Sequence, residues 1–338
     1  MSLPIRRILV AVADGTARRV TRRAGDLALE SDAKIELFSV VRPELRVLGL
    51  PNDTLVQINR AIVDTRRREL DTLAQGLRRR GLDVVCTVVT HDSLSESIEY
   101  RLHEAPADIV AIEAHKHRLL ARWFLLHSDY DLIRHCPVPL LIVKGVRRAG
   151  RRPILAAIDP WHLNDGPASL DGRIVDAARS MAELQHVSLH SVHAYQPLTD
   201  FVGGSAFAPV AIPVSVRDEG AQTTMIRRHF KAFNTAHRIA PRQSHLEMGD
   251  PMYVLPTVAR SVKAQMVVMG AVARSRIDRL FLGSTAEQVL DALPCDVLMV
   301  KPKTSGQRSA SVANARRVGR RGRGIGAKHA NTDSGAWI

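Results

Sequence analysis

The sequence predicts an α/β protein built twice from one template, and three observations carry that prediction. Short apolar, β-branched runs alternate along the chain with longer stretches of helical periodicity. The segment ADIVAIEAHKHRLLARWFLLHSDYDLIRHCPVPLLIVK (107–144) lies without a gap over AQMVVMGAVARSRIDRLFLGSTAEQVLDALPCDVLMVK (264–301), so that Arg122 meets Arg279, Pro137 meets Pro294 and Lys144 meets Lys301. The starts correspond too, IRRILVAVAD (5–14) with RRPILAAIDP (151–160). A period of about 150 residues is far longer than a solenoid repeat, so the copies are domains, with expected bounds 1–146 and 150–302.

Each element follows from its local pattern. Ile8–Ala13 is a short apolar run, hence a buried strand. Val20, Ala24, Leu27 and Ala28 share one face of a helix over about 16–31, and Lys34–Val41 is the second strand. From 53 to 80, Leu55, Ile58, Ile62, Leu70, Leu73 and Leu77 recur at helical spacing until Gly81 stops the helix. Val84–Val89 is the third strand, 95–104 a short helix, Ile109–Ile112 the fourth strand, Ser128–His135 a helix and Leu140–Val143 the fifth strand. The second half repeats this, with strands near 154–158, 187–192, 244–248, 266–269 and 297–300 and a helical stripe of Leu170, Ile174, Ala177, Met181 and Leu184. Alternating strands and helices imply a parallel sheet with helices on both faces. Ligands of such sheets sit beyond the carboxyl ends of the strands, which puts Asp159 beside the loop after Met269.

Composition narrows the classes. With 45% hydrophobic but only 4% aromatic residues, the cores are built from Val, Ile, Leu and Ala. Cys86, Cys136 and Cys295 form no CxxC pair, which suits a reducing compartment and excludes a disulfide scaffold or zinc ribbon. No apolar run approaches the roughly 18 residues of a membrane span, and ILVAVA is too short for a signal core. The expectation is a cytoplasmic protein without membrane contact. Half of the net charge of +14 lies at one end: from Lys303 onward eight Lys/Arg stand against one acid, Asp333, in a segment with few large apolar residues. Residues 303–338 are expected to be a disordered basic tail. It is solubilising on one reading and binds nucleic acid through VGRRGRGIG on another, although no aromatic residue is interleaved there for base stacking.

Units that open with ILVAV or ILAAI and close with PVPLLIVK or CDVLMVK resemble the tandem universal stress proteins. EAHKHR and HCPVPLLIVK resemble the E-type members, and the likeness spans residues 5–302. The resemblance implies two Rossmann-like domains of the adenine nucleotide alpha hydrolase-like type. Each would be a five-stranded parallel sheet of order 3-2-1-4-5, the two paired through their fifth strands as an intrachain pseudo-dimer. It further implies a role in stress survival through sensing or scaffolding. Many members bind ATP, others bind none, and few have a defined enzymatic activity. A homodimer and unidentified protein partners are compatible with it.

GAVARSRIDRLFLGST (270–285) is similar to the family's nucleotide signature, G-x-x-G, nine residues, then G-S/T. Its chemistry suits phosphate. Gly270 has no side chain to obstruct a ligand. Ser284-Thr285-Ala286-Glu287 has the capping-box pattern, and a helix that starts there offers free amides and a partial positive charge. Arg274, Arg276 and Arg279 can neutralise a triphosphate. Asp159 corresponds to the family's strand-one acid, which contacts the adenosine part. One position departs: the second glycine is Ala273, which is strained by about 1 kcal/mol if its φ is positive. The expected site is therefore Asp159, Gly270, Ala273, Arg274, Gly283, Ser284 and Thr285, holding ATP with accompanying Mg²⁺. The alternative is a strand end and a capped helix with no nucleotide, in a protein that binds an apolar, lipid-like ligand or acts only as a scaffold. The apolar stretch FVGGSAFAPVAIP (201–213) would then line a pocket or form a lid.

In the first half, Glu113, Lys116, Leu126 and His127 replace Gly270, Ala273, Gly283 and Ser284, and Ala13 replaces Asp159. A carboxylate at that position repels a triphosphate, so no nucleotide is expected there. His115 and His117 alternate beyond Glu113, with His127 and His91 as further zinc-ligand types, but in a chain with 14 histidines water-satisfied surface residues are the ordinary reading. No metal is assigned. There is no G-x-S-x-G, no Walker loop and no placed carboxylate pair, so no catalytic residue is assigned either.

Overall fold

The computed structural model describes residues 4–13, 17–42, 52–116, 123–124, 127–145, 150–160, 170–196, 216–270 and 284–302. The first half runs β1 (Arg7–Ala11), α1 (Arg18–Ser31), β2 (Lys34–Val41), α2 (Asn52–Arg78), β3 (Val84–Thr90), α3 (Leu94–Glu104) and β4 (Ile109–Glu113). A short antiparallel pair, β5 (His115–Lys116) and β6 (Trp123–Phe124), precedes α4 (His127–His135) and β7 (Leu140–Val143). The second half runs β8 (Ile154–Ala157), α5 (Leu170–Leu184), β9 (Leu189–Tyr195), α6 (Val216–Ala236), β10 (Ser244–Met248), α7 (Pro251–Ser261), β11 (Met266–Gly270), α8 (Ser284–Ala292) and β12 (Asp296–Val300).

The strands form one ten-stranded sheet of order β10-β9-β8-β11-β12-β7-β4-β1-β2-β3. Within each half every neighbouring pair is parallel, and the third, second, first, fourth and fifth strands lie in that order. The halves meet where β12 pairs with β7 antiparallel, Leu298 opposite Leu141. Those two leucines are counterparts in the internal alignment, so a local twofold runs between them. Successive strand residues feed opposite cores, as period-two alternation requires. Ile8 and Val10 pack with Val20, Leu27 and Leu77. Leu9 and Ala11 pack with Ile98, Leu102 and Leu132. Residues through Pro302 belong to one compact unit.

Three expectations need adjustment. The β5–β6 pair carries no strand-like pattern and was not expected. The apolar stripe of α2 is buried only at Leu70, Ala74 and Leu77, while Val56 and Ile62 stay exposed. The reason is length: 27 residues of helix span about 40 Å, whereas the seven or eight residues of β3 and β2 reach only about 25 Å, so the first turns overhang the sheet. Finally, α8 already includes Ser284, one residue earlier than the capping-box reading, which had Ser284 as the residue before the helix. The expected basic tail (303–338) and the stretch 201–213 lie outside the described residues. Among the described residues no helix is long and apolar enough to cross a membrane.

Side chains exchanged across the twofold fasten the halves together. Lys144, just after β7, is fully buried and donates to the carbonyls of Leu290 and Leu293 at the end of α8. Lys301, just after β12, donates to the carbonyl of Arg134 at the end of α4, at 2.7 Å. Each half thus supplies an ammonium to the last carbonyls of the other half's helix, groups that have no partner within their own helix. Burial pulls both lysines down to about 8.

Candidate functional site

The parallel pairing of β8 with β11, Ala156 opposite Val268, brings Asp159 and Gly270 out of the sheet at its carboxyl end on adjacent strands. Helix α8 links the parallel strands β11 and β12, so it runs back along them and opens at the same end. Three of the expected groups therefore lie at the same end of the sheet: Asp159, Gly270 and the Ser284-Thr285 helix start, the last described by its backbone. Ala273, Arg274 and Gly283, with Arg276 and Arg279, lie outside the described residues.

The Asp159 backbone amide donates to Asp171 Oδ1 in the first turn of α5, at 2.9 Å, which anchors the turn after β8. Its own carboxylate is half-exposed, with Oδ1 3.8 Å from Nδ1 of the buried His193 on β9. That Nδ1 also lies 3.0 Å from the Ile158 carbonyl, an acceptor, so the nitrogen carries its hydrogen there. Sequence reasoning missed His193 and Asp171. The signal lay in aligning β2 with β9, where Ser39 is the counterpart of His193 and binds the corresponding carbonyl, that of Val12, at 2.8 Å.

Gly270 has a packing role that the sequence does not reveal. A Cβ at this position would stand 2.6 Å from Leu170 Cδ2 and 3.2 Å from Ile174 Cδ1. The glycine admits the start of α5 against the end of β11, whatever else approaches it.

The corresponding place in the first half is filled by the chain itself. Glu113 Oε2 accepts from the amides of Arg19 and Val20, each at 3.0 Å, and Oε1 accepts from Arg19 Nε at 2.7 Å. The carboxylate thereby satisfies two amides of the first turn of α1 and one guanidinium. The charge expected to repel a phosphate instead serves as a built-in anion.

His115 pairs with Phe124 in the hairpin, and His117 lies outside the described residues. His91 uses Nδ1 to accept the Ser93 amide at 3.0 Å. Among the described residues no three His, Cys, Asp or Glu could hold a metal ion. The three cysteines are free thiols; burial pushes Cys86 and Cys136 up to about 11 and Cys295 to about 12, the opposite of nucleophilic activation.

The first half also holds a buried carboxylate that sequence reasoning passed over. Glu36 on β2 accepts from Thr87 and Arg7, each at 2.6 Å, and from Arg101 at 2.8 Å. Burial would raise this carboxyl, but the hydrogen bonds from Thr87, Arg101 and Arg7 outweigh it and hold the group below its usual value. Beside it a cleft of about 680 Å³, lined by Phe38, Val89 and Tyr100 among others, opens between β3 and α3.

Comparison with known proteins agrees with this duplicated architecture. The profile of the Universal stress protein family matches residues 4–144 and again 150–301. Universal stress protein E of Escherichia coli (strain K12) is 30% identical over 294 residues, covering 83% of this chain and 89% of the relative. A crystal structure of a functionally unknown protein from Pseudomonas aeruginosa PAO1 superposes with a TM-score of 0.67 at 23% identity, covering 93% of this chain and 98% of that one. A universal stress protein from Archaeoglobus fulgidus DSM 4304 superposes with a TM-score of 0.58 at 15% identity, over 87% and 98%. At those identities the two structures speak for the fold alone. Matched twice by the family profile along nearly all of the residues that build the ten-stranded sheet, the chain belongs to the universal stress protein family.

Proposed function

We propose that this chain is a cytoplasmic, non-enzymatic stress-response protein whose second domain (150–302) binds an adenine nucleotide, ATP with Mg²⁺, and thereby biases its contacts with partner proteins. The first domain (1–146) serves as its structural mate. The observation that carries the reading is the contrast between halves: Glu113 fills the first-half position, while its counterpart Gly270 brings no charge to the end of β11. The half-exposed Asp159 carboxylate and the α8 start at the same sheet end support it. Asp159 would meet the adenosine part and the α8 amides the phosphates. A ligand alters partner binding only if it prefers one conformation of the protein.

Thermal unfolding with and without ATP and Mg²⁺ tests this. At about 100-fold excess over Kd, a real site adds about 2.7 kcal/mol. The absence of any shift at millimolar ATP would reject it.

A second reading, nucleotide-independent binding of an apolar ligand or a purely scaffolding role, is favoured by two observations. Leu170 packing already accounts for Gly270, and the cleft beside Tyr100 offers the apolar faces of Phe38, Val89 and Tyr100 within a rim that includes Glu96, Glu99 and Glu104. In that case ATP leaves the unfolding temperature unchanged while an amphiphile raises it.

A further inference from the structure

The two halves can be set in register through their first helices. Asp32 and His186, which follow α1 and α5, both have left-handed backbones, φ 53° and 51°. The bonds that close the turns also correspond, Ala33 N to Ala28 O and Val187 N to Ala182 O. Counting back from them, Arg19 of α1 falls on Arg173 of α5, and Val20 on Ile174. Arg19 is the residue that holds Glu113, and the counterpart of Glu113 is Gly270. The second half has kept the cation and lost the anion.

The consequence is visible at Arg173. Its Nη1 is shut off from solvent and has no hydrogen-bond partner among the described residues. Burial pulls the guanidinium below its usual value, and no carboxylate among the described residues opposes that. A guanidinium nitrogen shut off from water without an acceptor is costly and calls for an explanation, although the residue as a whole is only half-buried. Helix α5 begins at Leu170, further upstream than α1 begins by the same count. The amides that Glu113 takes in α1 therefore have counterparts inside the helix here, and the guanidinium alone is left over.

We infer that Arg173 receives an oxygen of an external phosphate where Arg19 receives Glu113. The inference rests on the nucleotide reading only for naming the ligand, as the phosphate chain of ATP. The ligand enters from beyond the strand end, because Leu170 fills the space beside Gly270. A planar guanidinium suits this task, since it binds two phosphate oxygens at once where an ammonium acts as a point charge.

Calorimetric titration of the full chain and of Arg173→Ala and Arg173→Lys with ATP, adenosine and inorganic pyrophosphate tests the inference. Arg173→Ala should weaken ATP about tenfold to a hundredfold and leave adenosine unchanged, with Arg173→Lys in between. The ligand-free unfolding temperature of Arg173→Ala should hold or rise, because a shielded guanidinium nitrogen without an acceptor has been removed. ATP binding equally well to the wild type and Arg173→Ala overturns the inference and leaves the nucleotide reading standing. A fall of several degrees in ligand-free Arg173→Ala also overturns it, by giving Arg173 a structural role. If the wild type binds no ATP, the nucleotide reading fails and pyrophosphate decides: binding lost in Arg173→Ala supports an anion site, and no binding removes it.

Discussion

Arg23 Nε lies 2.9 Å from Asp296 Oδ2, both residues buried, joining α1 of the first half to β12 of the second. The other Asp296 oxygen accepts the amides of Lys144 and Gly145, at 3.1 and 3.4 Å, and Arg23 Nη2 donates to Gln185 Oε1 at 3.0 Å. Burial raises the Asp296 carboxyl above its usual value against the pull of Arg23. The pair occurs once, because the counterparts of Arg23 and Asp296 are Ala177 and Pro139.

Removing Arg23 should therefore cost more than its contacts alone suggest. Arg23→Ala leaves a buried carboxylate unpaired, and a loss of about 3–5 kcal/mol in urea unfolding is expected. Adding Asp296→Asn should recover part of it. A loss below about 1 kcal/mol would mean that water reaches the seam.

The crossed lysines make stability depend on alkaline pH. The ammonium of Lys144 titrates at its ordinary 10.5 in the unfolded chain and at about 8 when folded. Between those values the unfolded chain holds more protons, so this lysine makes stability rise with pH from about 8 to 10.5. Lys301 adds a rise of the same sign. Lys144→Met should make the urea midpoint rise less between about pH 8 and 9, below the range where the three raised thiols act with the opposite sign; an unchanged slope would show that Lys144 is solvated.

Gly270→Ala should be destabilising without any ligand. The new methyl meets Leu170 Cδ2 at 2.6 Å, and such overpacking costs about 1–3 kcal/mol. Combining it with Leu170→Ala should give a smaller loss than the two single changes added together. Strict additivity in thermal unfolding would mean that the helix moves aside freely.

Glu113→Ala removes the acceptor of two helix amides and one guanidinium in the first half. A loss of about 1–3 kcal/mol is expected, with exchange of the Arg19 and Val20 amides accelerated in hydrogen-exchange measurements. Unchanged exchange would show that the helix start is capped in another way.

Much of the fold was legible. The strands and the helices of the first half came within a residue or two of their observed bounds because each is set by local periodicity, whereas α6 and α7 carry no predicted bounds. Exceptions were β9, which extends to Tyr195, and the hairpin at His115 and Phe124, which has too few residues to show a pattern. The candidate site was legible only in part. Asp159 and Gly270 could be placed at one sheet end from strand order, but Leu170, Asp171 and His193 enter through packing. Arg173 acquires meaning only when its counterpart is seen holding Glu113.

By itself, the sequence determined that this is one α/β template written twice and that the copies differ in charge at the ends of their fourth strands, Glu113 against Gly270. Both properties are local or follow from gapless alignment. Tertiary structure decided that Glu113 caps α1, that Lys144 and Lys301 serve each other's half, and that Arg23 meets Asp296. The physical reason is range. Those contacts join residues 93 to 273 positions apart, and their strength comes from burial that no linear pattern records.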